Sequence, residues 1–561
     1  MPSPTKPSRL LLFRFLANEG ELRLRTVVLL GLTVSVGSLL ALVAINAGAE
    51  LLEHQDRDAV NWPLAGLFTV SIAMQFFGQK HLIASVCAAT ELAIDKVRIR
   101  LVEGVRHADF ASIERIGSDT LFEGITQTSS ALSQNSPQFA LSLSSSALAT
   151  LILLYILYLS AAAFATIVAG AAVAAWMYHR LGSKLRMKYL AMFGQERVLF
   201  ATVEDFLNGF REVRMWSRRA SALKAQFLAA CERATAARLA VQNQSVVSMI
   251  FGQTAMFFLL ALVVFVVPSY MTSFSADVIK VTSAVVFLIG PLGATIQAVS
   301  VLAAAEAAAS RMLELDAQLH AIRDPAVDGQ GPAIKSGFEE IVLSGVGFGY
   351  ASGSSETRFA LAELNLRISR NEVIFITGGN GSGKTSFLKL LTGLYRPASG
   401  TLSVDGSHVT HANRQSFREL FGAVWSGQHL ARRLHGLGSP DSEQVRALLE
   451  WMEIHDIVTV DGDRLSRTEL SSGQKKRVQL VAALLENRPL LVLDEWAADQ
   501  DPHFRQKFYR EVIPELRRRG LTVIAVTHDD RYFDAADRRI HFEQGRMSEI
   551  KLPEQDRRAT A

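Results

Sequence analysis

Val373-Ile374-Phe375-Ile376-Thr377-Gly378-Gly379-Asn380-Gly381-Ser382-Gly383-Lys384-Thr385-Ser386-Phe387-Leu388-Lys389-Leu390-Leu391 decides how the second half of the chain folds. The opening apolar residues, bounded by turn signals, read as a buried strand. They lead into a run that fits G-x-x-x-x-G-K-[ST], and Ser386 to Leu391 continue as a helix. Strand, glycine-rich turn and helix in that order make a phosphate cradle, because the glycines let the backbone curl and aim successive N–H groups at an anion. Gly378, Asn380, Gly381, Ser382, Gly383, Lys384, Thr385 and Ser386 are the candidate binding residues. Lys384 is expected to reach the β and γ phosphates, and the Thr385 hydroxyl to ligate Mg²⁺. The bare pattern arises by chance in roughly one or two per cent of chains of this length, so its strand-to-helix context adds weight.

Two further runs belong to the same expected sheet. Leu490-Leu491-Val492-Leu493 ends in Asp494-Glu495, which delivers two carboxylates to the C-terminal edge where parallel sheets bind ligands. Asp494 is placed to hold the Mg²⁺ shell and Glu495 to act as general base on an attacking water. Val523 to Val526 ends in Thr527-His528, and His528 is the candidate sensor of a γ-phosphate. Alternation of short β-rich runs with helical ones predicts a mainly parallel sheet flanked by helices.

The first half is of another kind. Across 561 residues, 58 Lys+Arg against 54 Asp+Glu leave a net charge of +4, which indicates neither a nucleic-acid binder nor an acidic solvating chain. Mean hydropathy is nevertheless positive, at +0.20. Long apolar runs at about 26–49, 63–86, 138–159, 161–179, 245–268 and 276–304 account for it. Each is near or above the roughly 20 residues that cross a bilayer, so six spanning helices are expected. Basic residues crowd the N-terminal segment and 180–238, whereas 50–58 is acid-rich and 268–275 uncharged. Basic loops stay inside, so the N-terminus and the C-terminal half are expected in the cytoplasm. Length and further spans argue against a cleaved signal peptide over the first run. Cys87 and Cys231 lie far apart and read as small buried hydrophobes, which excludes a disulfide framework or a Cys-based zinc site. Gln75, Gln79, Lys80 and His81 fall on one expected helix and are candidates for a substrate path, although Lys80 could equally snorkel.

The expected organisation is a cytoplasmic N-terminal segment over 1–25, a six-helix transmembrane domain over 26–315, a linker over 316–338 and a nucleotide-binding domain over 339–561. With these motifs in place, the C-terminal half resembles the nucleotide-binding domain of ABC transporters. Leu470-Ser471-Ser472-Gly473-Gln474 matches that family's signature, with Ser472 in place of its first glycine. The resemblance implies ATP with Mg²⁺, Tyr350 stacking on adenine, and Ser471, Ser472, Gly473 and Gln474 capping the γ-phosphate held by an opposite subunit. Lys384, Glu495 and His528 are the implied catalytic residues, and one phosphate loop and one signature per chain imply a homodimer. The family's γ-phosphate-sensing Gln position falls on Ser426, with Gln428 two residues on.

Asp494-Glu495-Trp496-Ala497-Ala498-Asp499-Gln500-Asp501-Pro502, with His528-Asp529-Asp530 and Tyr532-Phe533, is similar to the bacterial cyclic-peptide exporter family. That family includes exporters of syringomycin-type lipopeptides, of a pyoverdine siderophore precursor and of a knotted microcin. The fold class implied is an α-helical ABC-exporter membrane domain followed by an α/β P-loop ATPase domain, in a half-transporter of the bacterial inner membrane. Its substrate would be a cyclic peptide, lipopeptide or siderophore precursor, with no nucleic acid involved. Ile116 to Asp119 and Glu204 to Trp216 fall where coupling helices are expected, and no leader-removing peptidase domain is expected before residue 26. A multidrug or lipid translocator and a membrane-anchored, non-transporting ATPase stand as alternatives.

Overall fold

The strands β3 (Val373–Gly378), β9 (Leu490–Asp494) and β10 (Thr522–Val526) are buried along their whole length in a computed structural model of the chain. The model describes residues 11–54, 61–182, 185–266, 278–324, 334, 337–349, 360–438 and 440–550. Continuous apolar runs of this kind belong in a parallel sheet covered on both faces, where no side of the strand meets water. They form the centre of a six-stranded sheet with β6 (Phe421–Val424), β11 (Arg538–Glu543) and β12 (Arg546–Ile550), in the order β12-β11-β3-β10-β9-β6. All neighbours are parallel except the edge pair β11 and β12. A second, antiparallel sheet has the order β2-β1-β4-β5, from β1 (Glu340–Gly349), β2 (Ala360–Ser369), β4 (Ser399–Val404) and β5 (Ser407–His408).

Successive side chains of a strand leave on opposite faces, so the central sheet builds two cores. Val373, Phe375, Leu491, Leu493, Val523 and Ala525 join one with Trp496, Phe504 and Phe508. Ile374, Ile376, Leu490, Val492, Ile524 and Val526 join the other with Phe387, Leu391 and the β1–β2 residues Ile341 and Leu366. One sheet is therefore clamped between two apolar layers, and its strand ends are held rigidly.

The chain divides into two compact units, Met1–Glu103 with Ser118–Leu319, and Gly104–Gly117 with His320–Ala561. Leu24–His54, Trp62–His107, Thr128–Leu159, Ala161–Gly182, Ser217–Ala261 and Val278–Ala321 are long helices, lying wholly or mostly in the first unit, that take up all or most of the six apolar runs. The 45 residues of Ser217–Ala261 make a helix of about 68 Å at 1.5 Å per residue, so it extends well beyond about 30 Å of hydrocarbon. Arg25–Gly48, Ser118–Leu159 and Ser217–Ala261 are long and apolar enough to cross a membrane, and Ala161–Val173 and Lys280–Thr295 are shorter apolar stretches. Trp62–His107 carries the half-buried Gln75 and Gln79 and the exposed Lys80 and His81 within its continuous helix. The loops expected on the outer side fall mostly outside the described residues.

Apolar surface does not distinguish helix from lipid, so small and polar groups join the helices here. Ser35 Oγ donates to the Ser144 carbonyl at 3.1 Å, Asn46 Nδ2 to the Tyr155 hydroxyl at 3.3 Å, and Ser283 Oγ to Asn46 Oδ1 at 2.5 Å. Outside the apolar stretches ions take over: Arg100 bridges Glu19 at 3.0 Å and Asp316 at 2.8 Å.

Within the second unit, the short helix Phe110–Ile116 packs on the ATPase fold a few residues ahead of the expected Ile116 to Asp119. Glu114 accepts from Lys389 Nζ and from the Tyr395 hydroxyl, both at 2.6 Å. Next to it, Asp324 is fully buried and takes Arg396 and Arg418 at 2.9 Å, with Arg414 at 4.0 Å. Its backbone N–H also donates to the His107 carbonyl at 2.6 Å. Removing one partner from a buried ionic cluster leaves uncompensated charge and costs about 3–5 kcal/mol. Asp324→Ala is therefore expected to lower the unfolding midpoint of the ATPase unit by several degrees, measured by calorimetry on the full chain in detergent. A midpoint unchanged within a degree would show that the three guanidinium groups do not need it.

Candidate active site

Register brings the expected site together. Val526 pairs with Ile376 on one side and with Asp494 on the other, so the turns after β3, β9 and β10 emerge from one edge. The first carries the glycine-rich run, the second Glu495 and the third His528. A cavity of about 600 Å³ opens there, lined by Asn380, Gly381, Gly383, Lys384, Thr385, Ser386 and Glu495. That volume is in the range of small-molecule sites.

Each member is held locally. Gly378 has φ +141°, and a Cβ there would press on the Phe542 carbonyl, so the turn accepts no side chain at that point. Lys384 is buried, and its ammonium donates to the Gly378 and Gly379 carbonyls at 2.9 and 3.0 Å. Ser382 Oγ is buried with no hydrogen-bond partner among the described residues. A buried orphan hydroxyl is costly unless a ligand satisfies it, and here it lies in the phosphate-cradling turn.

Thr385 Oγ1 donates to the Asp494 carboxylate at 3.3–3.4 Å, and the Ser426 backbone N–H donates to the same carboxylate. Burial pushes the Asp494 carboxyl above its ordinary range and the adjacent Glu495 charge adds to that, while Ser426, Thr385 and Lys476 pull it back. A hydroxyl and a carboxylate are hard oxygen donors of the type that hold Mg²⁺ beside substrate phosphates. Among the described residues no group of three or more His, Cys, Asp or Glu is placed to hold a metal without such help.

Glu495 follows Asp494 in a left-handed conformation, φ 50° and ψ 39°. Its carboxylate is 3.5 Å from His528 Nε2. The residues flanking that histidine are pinned from below: the buried Tyr509 hydroxyl lies 2.5 Å from Thr527 Oγ1 and donates to Asp529 Oδ2 at 2.9 Å. Tyr509 sits in the wide helical turn Phe508–Val512, and burial drives its phenol pKa upward. Neither Tyr509 nor the interior Lys476 was legible as a site residue, since each falls in a helical pattern with no motif of its own.

Other sequence expectations lie elsewhere. Ser471 and Gln474 form a reciprocal capping box at the start of the helix Ser472–Leu485, with Ser471 Oγ accepting from Gln474 N at 3.3 Å and Gln474 Oε1 from Ser471 N at 3.1 Å. Ser471 and Ser472 are exposed and none of Ser471 to Gln474 lines the cavity, so the chain's own phosphate loop does not meet its own signature. Gln428 turns back on itself, its Oε1 accepting from Trp425 N at 3.1 Å, which leaves the Asp494 contact to the Ser426 backbone. Tyr350 lies outside the described residues.

The fold and the site define an ABC-type ATPase domain joined to a helical membrane domain, and known proteins agree. Residues 361–498 match the ABC transporter family model. An energy-coupling factor transporter ATP-binding protein, EcfA1 of Lactiplantibacillus plantarum, is 30% identical over 210 residues, which cover 35% of this chain and 73% of that protein. The chain belongs to the ABC transporter family.

Its particular relatives narrow the class further. ATP-binding protein SyrD of Pseudomonas syringae pv. syringae is 36% identical over 318 residues, 55% of this chain and 56% of SyrD. The macrolide export ATP-binding/permease protein MacB of Shewanella oneidensis is 31% identical over 197 residues, 33% of this chain and 30% of MacB. The chain thus matches little more than half the length of the first and under a third of the second. A solved bacterial Atm1-family ABC exporter with ATP bound superposes with a TM-score of 0.75 over 93% of both chains at 16% identity. The fold is that of an ABC exporter.

Three variants test these placements. Glu495→Gln is expected to cut ATPase turnover by about 10²–10⁴, the usual contribution of a general base, with nucleotide affinity kept. Lys384→Ala is expected to weaken ATP binding by about 10–150-fold, the equivalent of one charged hydrogen bond, in a fluorescent-nucleotide titration. Asp494→Asn probes sign. The fold favours the neutral carboxyl, so the ionised form costs stability as pH rises from the ordinary carboxylate range through the raised value. In EDTA at neutral pH the Asn variant should therefore melt no lower than wild type, yet lose Mg²⁺-dependent hydrolysis. A clear drop in its melting temperature would show that Asp494 is held as a stabilising anion.

Proposed function

We propose that the chain is one half of a homodimeric exporter that uses ATP to move a peptide-type substrate across the bacterial inner membrane, its ATPase domain in the cytoplasm. The observation that carries this reading is the edge of the central sheet, where Lys384, Thr385, Asp494, Glu495 and His528 converge in a chain with the ABC exporter fold.

ATP binds with its phosphates against the N–H groups of the turn and Lys384, which exchanges its two carbonyl partners for phosphate oxygens. Thr385 and Asp494 would hold Mg²⁺, which neutralises phosphate charge when bound. Glu495 accepts a proton from the attacking water, and His528 steadies the carboxylate and the γ-phosphate from the far side. Tyr350 is the proposed stack for adenine.

Two features support a second copy. The signature residues Ser471 to Gln474 do not line their own chain's cavity, which supports capping of the nucleotide by a partner's signature. In the helical domain, the hairpin tip around Phe210–Met215 exposes Leu207 at 66%, Phe210 at 56%, Met215 at 90% and Trp216 at 55%. A solvent-facing apolar cluster of this kind is a docking surface, and a partner's ATPase domain is its proposed seat. Binding of two nucleotides draws the ATPase domains together, and this closure shares one equilibrium with outward opening of the helices. Hydrolysis removes the bridge and resets the pair.

The substrate class rests on the similarity of Asp494 to Pro502 and His528 to Phe533 to the cyclic-peptide exporters. Purified chain reconstituted into inside-out vesicles is expected to accumulate a labelled cyclic lipopeptide or a siderophore-precursor peptide with ATP, and not with the Glu495→Gln variant. ATPase activity without accumulation of either probe would overturn the peptide-export reading and leave the nucleotide site standing.

A further inference from the structure

Glu495 must present its carboxylate at the mouth of the cavity from a position directly after a buried strand. It does so with left-handed backbone angles, a conformation that costs a non-glycine residue about 1–3 kcal/mol and lasts only where the surroundings impose it. The helix Ser472–Leu485 supplies those surroundings. Lys476, on its buried side, is 7% exposed, and its Nζ donates to the Glu495 carbonyl at 2.6 Å. The same ammonium pairs with the Asp499 carboxylate at 2.7 Å. In the opposite direction the Trp496 indole N–H donates to the Lys476 carbonyl at 2.9 Å.

The peptide unit between Glu495 and Trp496 is thereby gripped twice, its carbonyl by a cation and its following side chain by the helix backbone. Contacts on either side tighten the seam. Gly473 approaches so closely that a Cβ would stand 2.7 Å from the Asp499 carbonyl. Gln500 Nε2 donates to the Gly473 carbonyl at 3.2 Å, and Gln479 Nε2 to the Gln428 carbonyl at 2.8 Å. Filling this space with an apolar side chain would avoid the desolvation cost of a buried ammonium. What an apolar residue cannot do is hold the Glu495 carbonyl.

We infer that Lys476 is a positioning residue for ATP hydrolysis: by holding the Glu495 carbonyl it fixes the Glu495 backbone, and so aims that carboxylate at the nucleotide cavity beside His528. Lys476 does not itself line the cavity and meets that lining only at the Glu495 carbonyl, so it is expected to act on turnover through Glu495 and not on nucleotide affinity. The tie also joins the helix that begins at the signature serine to the hydrolytic residue of the same chain. The inference rests on Glu495 serving as general base, as proposed above.

The test compares full-length variants purified in detergent, with ATPase kinetics, fluorescent ATP-analogue affinity and melting temperature measured on each. Lys476→Met is expected to lower kcat by about tenfold, as a barrier increase of ~1.4 kcal/mol would, with nucleotide affinity unchanged. Lys476→Arg, which keeps a charged donor, is expected to restore much of that rate. Glu495→Gln is assayed in parallel. Should it turn over at the wild-type rate, the general-base assignment falls and the Lys476 inference with it. Should it be inactive while Lys476→Met keeps wild-type kcat, the Lys476 inference alone is overturned. Equal losses of kcat and affinity that Arg does not rescue would also overturn it, because they would make Lys476 a prop of the fold. If Lys476→Met does not fold, Asp499→Asn decides. A reduced kcat at unchanged affinity supports the inference, and an unchanged kcat refutes it.

Discussion

The catalytic geometry depends on parallel register at three adjacent strands. Because Val526 sits level with both Ile376 and Asp494, three unrelated turns leave the sheet at the same height. A slip of one residue would invert every side chain of the slipped strand between the two cores. The alternation of Val373, Phe375 and Leu491 into one apolar layer and Ile374, Ile376 and Val492 into the other makes such a slip prohibitive. The placement of Lys384, Glu495 and His528 is thus a consequence of core packing several ångströms beneath them.

A second constraint acts where the polypeptide enters this unit. Asp324 gathers two guanidinium groups at bonding distance while its backbone N–H is taken by His107. Ala108 and Arg323 form an isolated bridge beside it, and Asp109 N donates to the Ile322 carbonyl at 2.8 Å. Two stretches more than two hundred residues apart in sequence are therefore fastened together by one buried carboxylate and a few backbone bonds. Arg396 and Arg418 follow the helix Lys384–Leu391 that opens at the phosphate loop. Any shift of that loop's helix on nucleotide binding is communicated to the Phe110–Ile116 helix through Lys389, Tyr395 and these arginines.

Most of the candidate site was legible in the sequence because its signals are local. A buried strand followed by glycines, Lys and Thr has one strong reading, and Asp494-Glu495 at the end of an apolar run has nearly as strong a one. Long helices could be read at the apolar runs because such runs have few turn signals, and three of those helices are long and apolar enough to cross a membrane. What escaped was whatever depends on partners distant in sequence. Lys476 looks like one more cation of a surface helix in Lys475-Lys476-Arg477, and only packing shows that Lys475 is exposed while Lys476 is buried. Tyr509 reads as a core aromatic, and its hydroxyl gains meaning only when Thr527 and Asp529 arrive on either side of it. Asp324 falls within the 316–338 stretch that reads as a linker, and nothing nearby in sequence announces three arginines beyond residue 390.

The helix Ser472–Leu485 shows how these levels join. Its first turn is exposed and capped by Ser471 and Gln474, so the N–H groups that remain there can turn to an anion from outside the chain. Its second turn is buried and carries Lys476 onto Glu495, and Gln479 then reaches the turn that feeds Ser426 to Asp494. A rigid helix cannot respond at one end alone. Anything that engages its exposed start must load the bonds along its buried face, and those bonds end on Glu495 and on the turn that contacts Asp494, the carboxylates proposed to handle water and metal. The proposed signature cap and the proposed general base are in this way two ends of one helix within a single subunit.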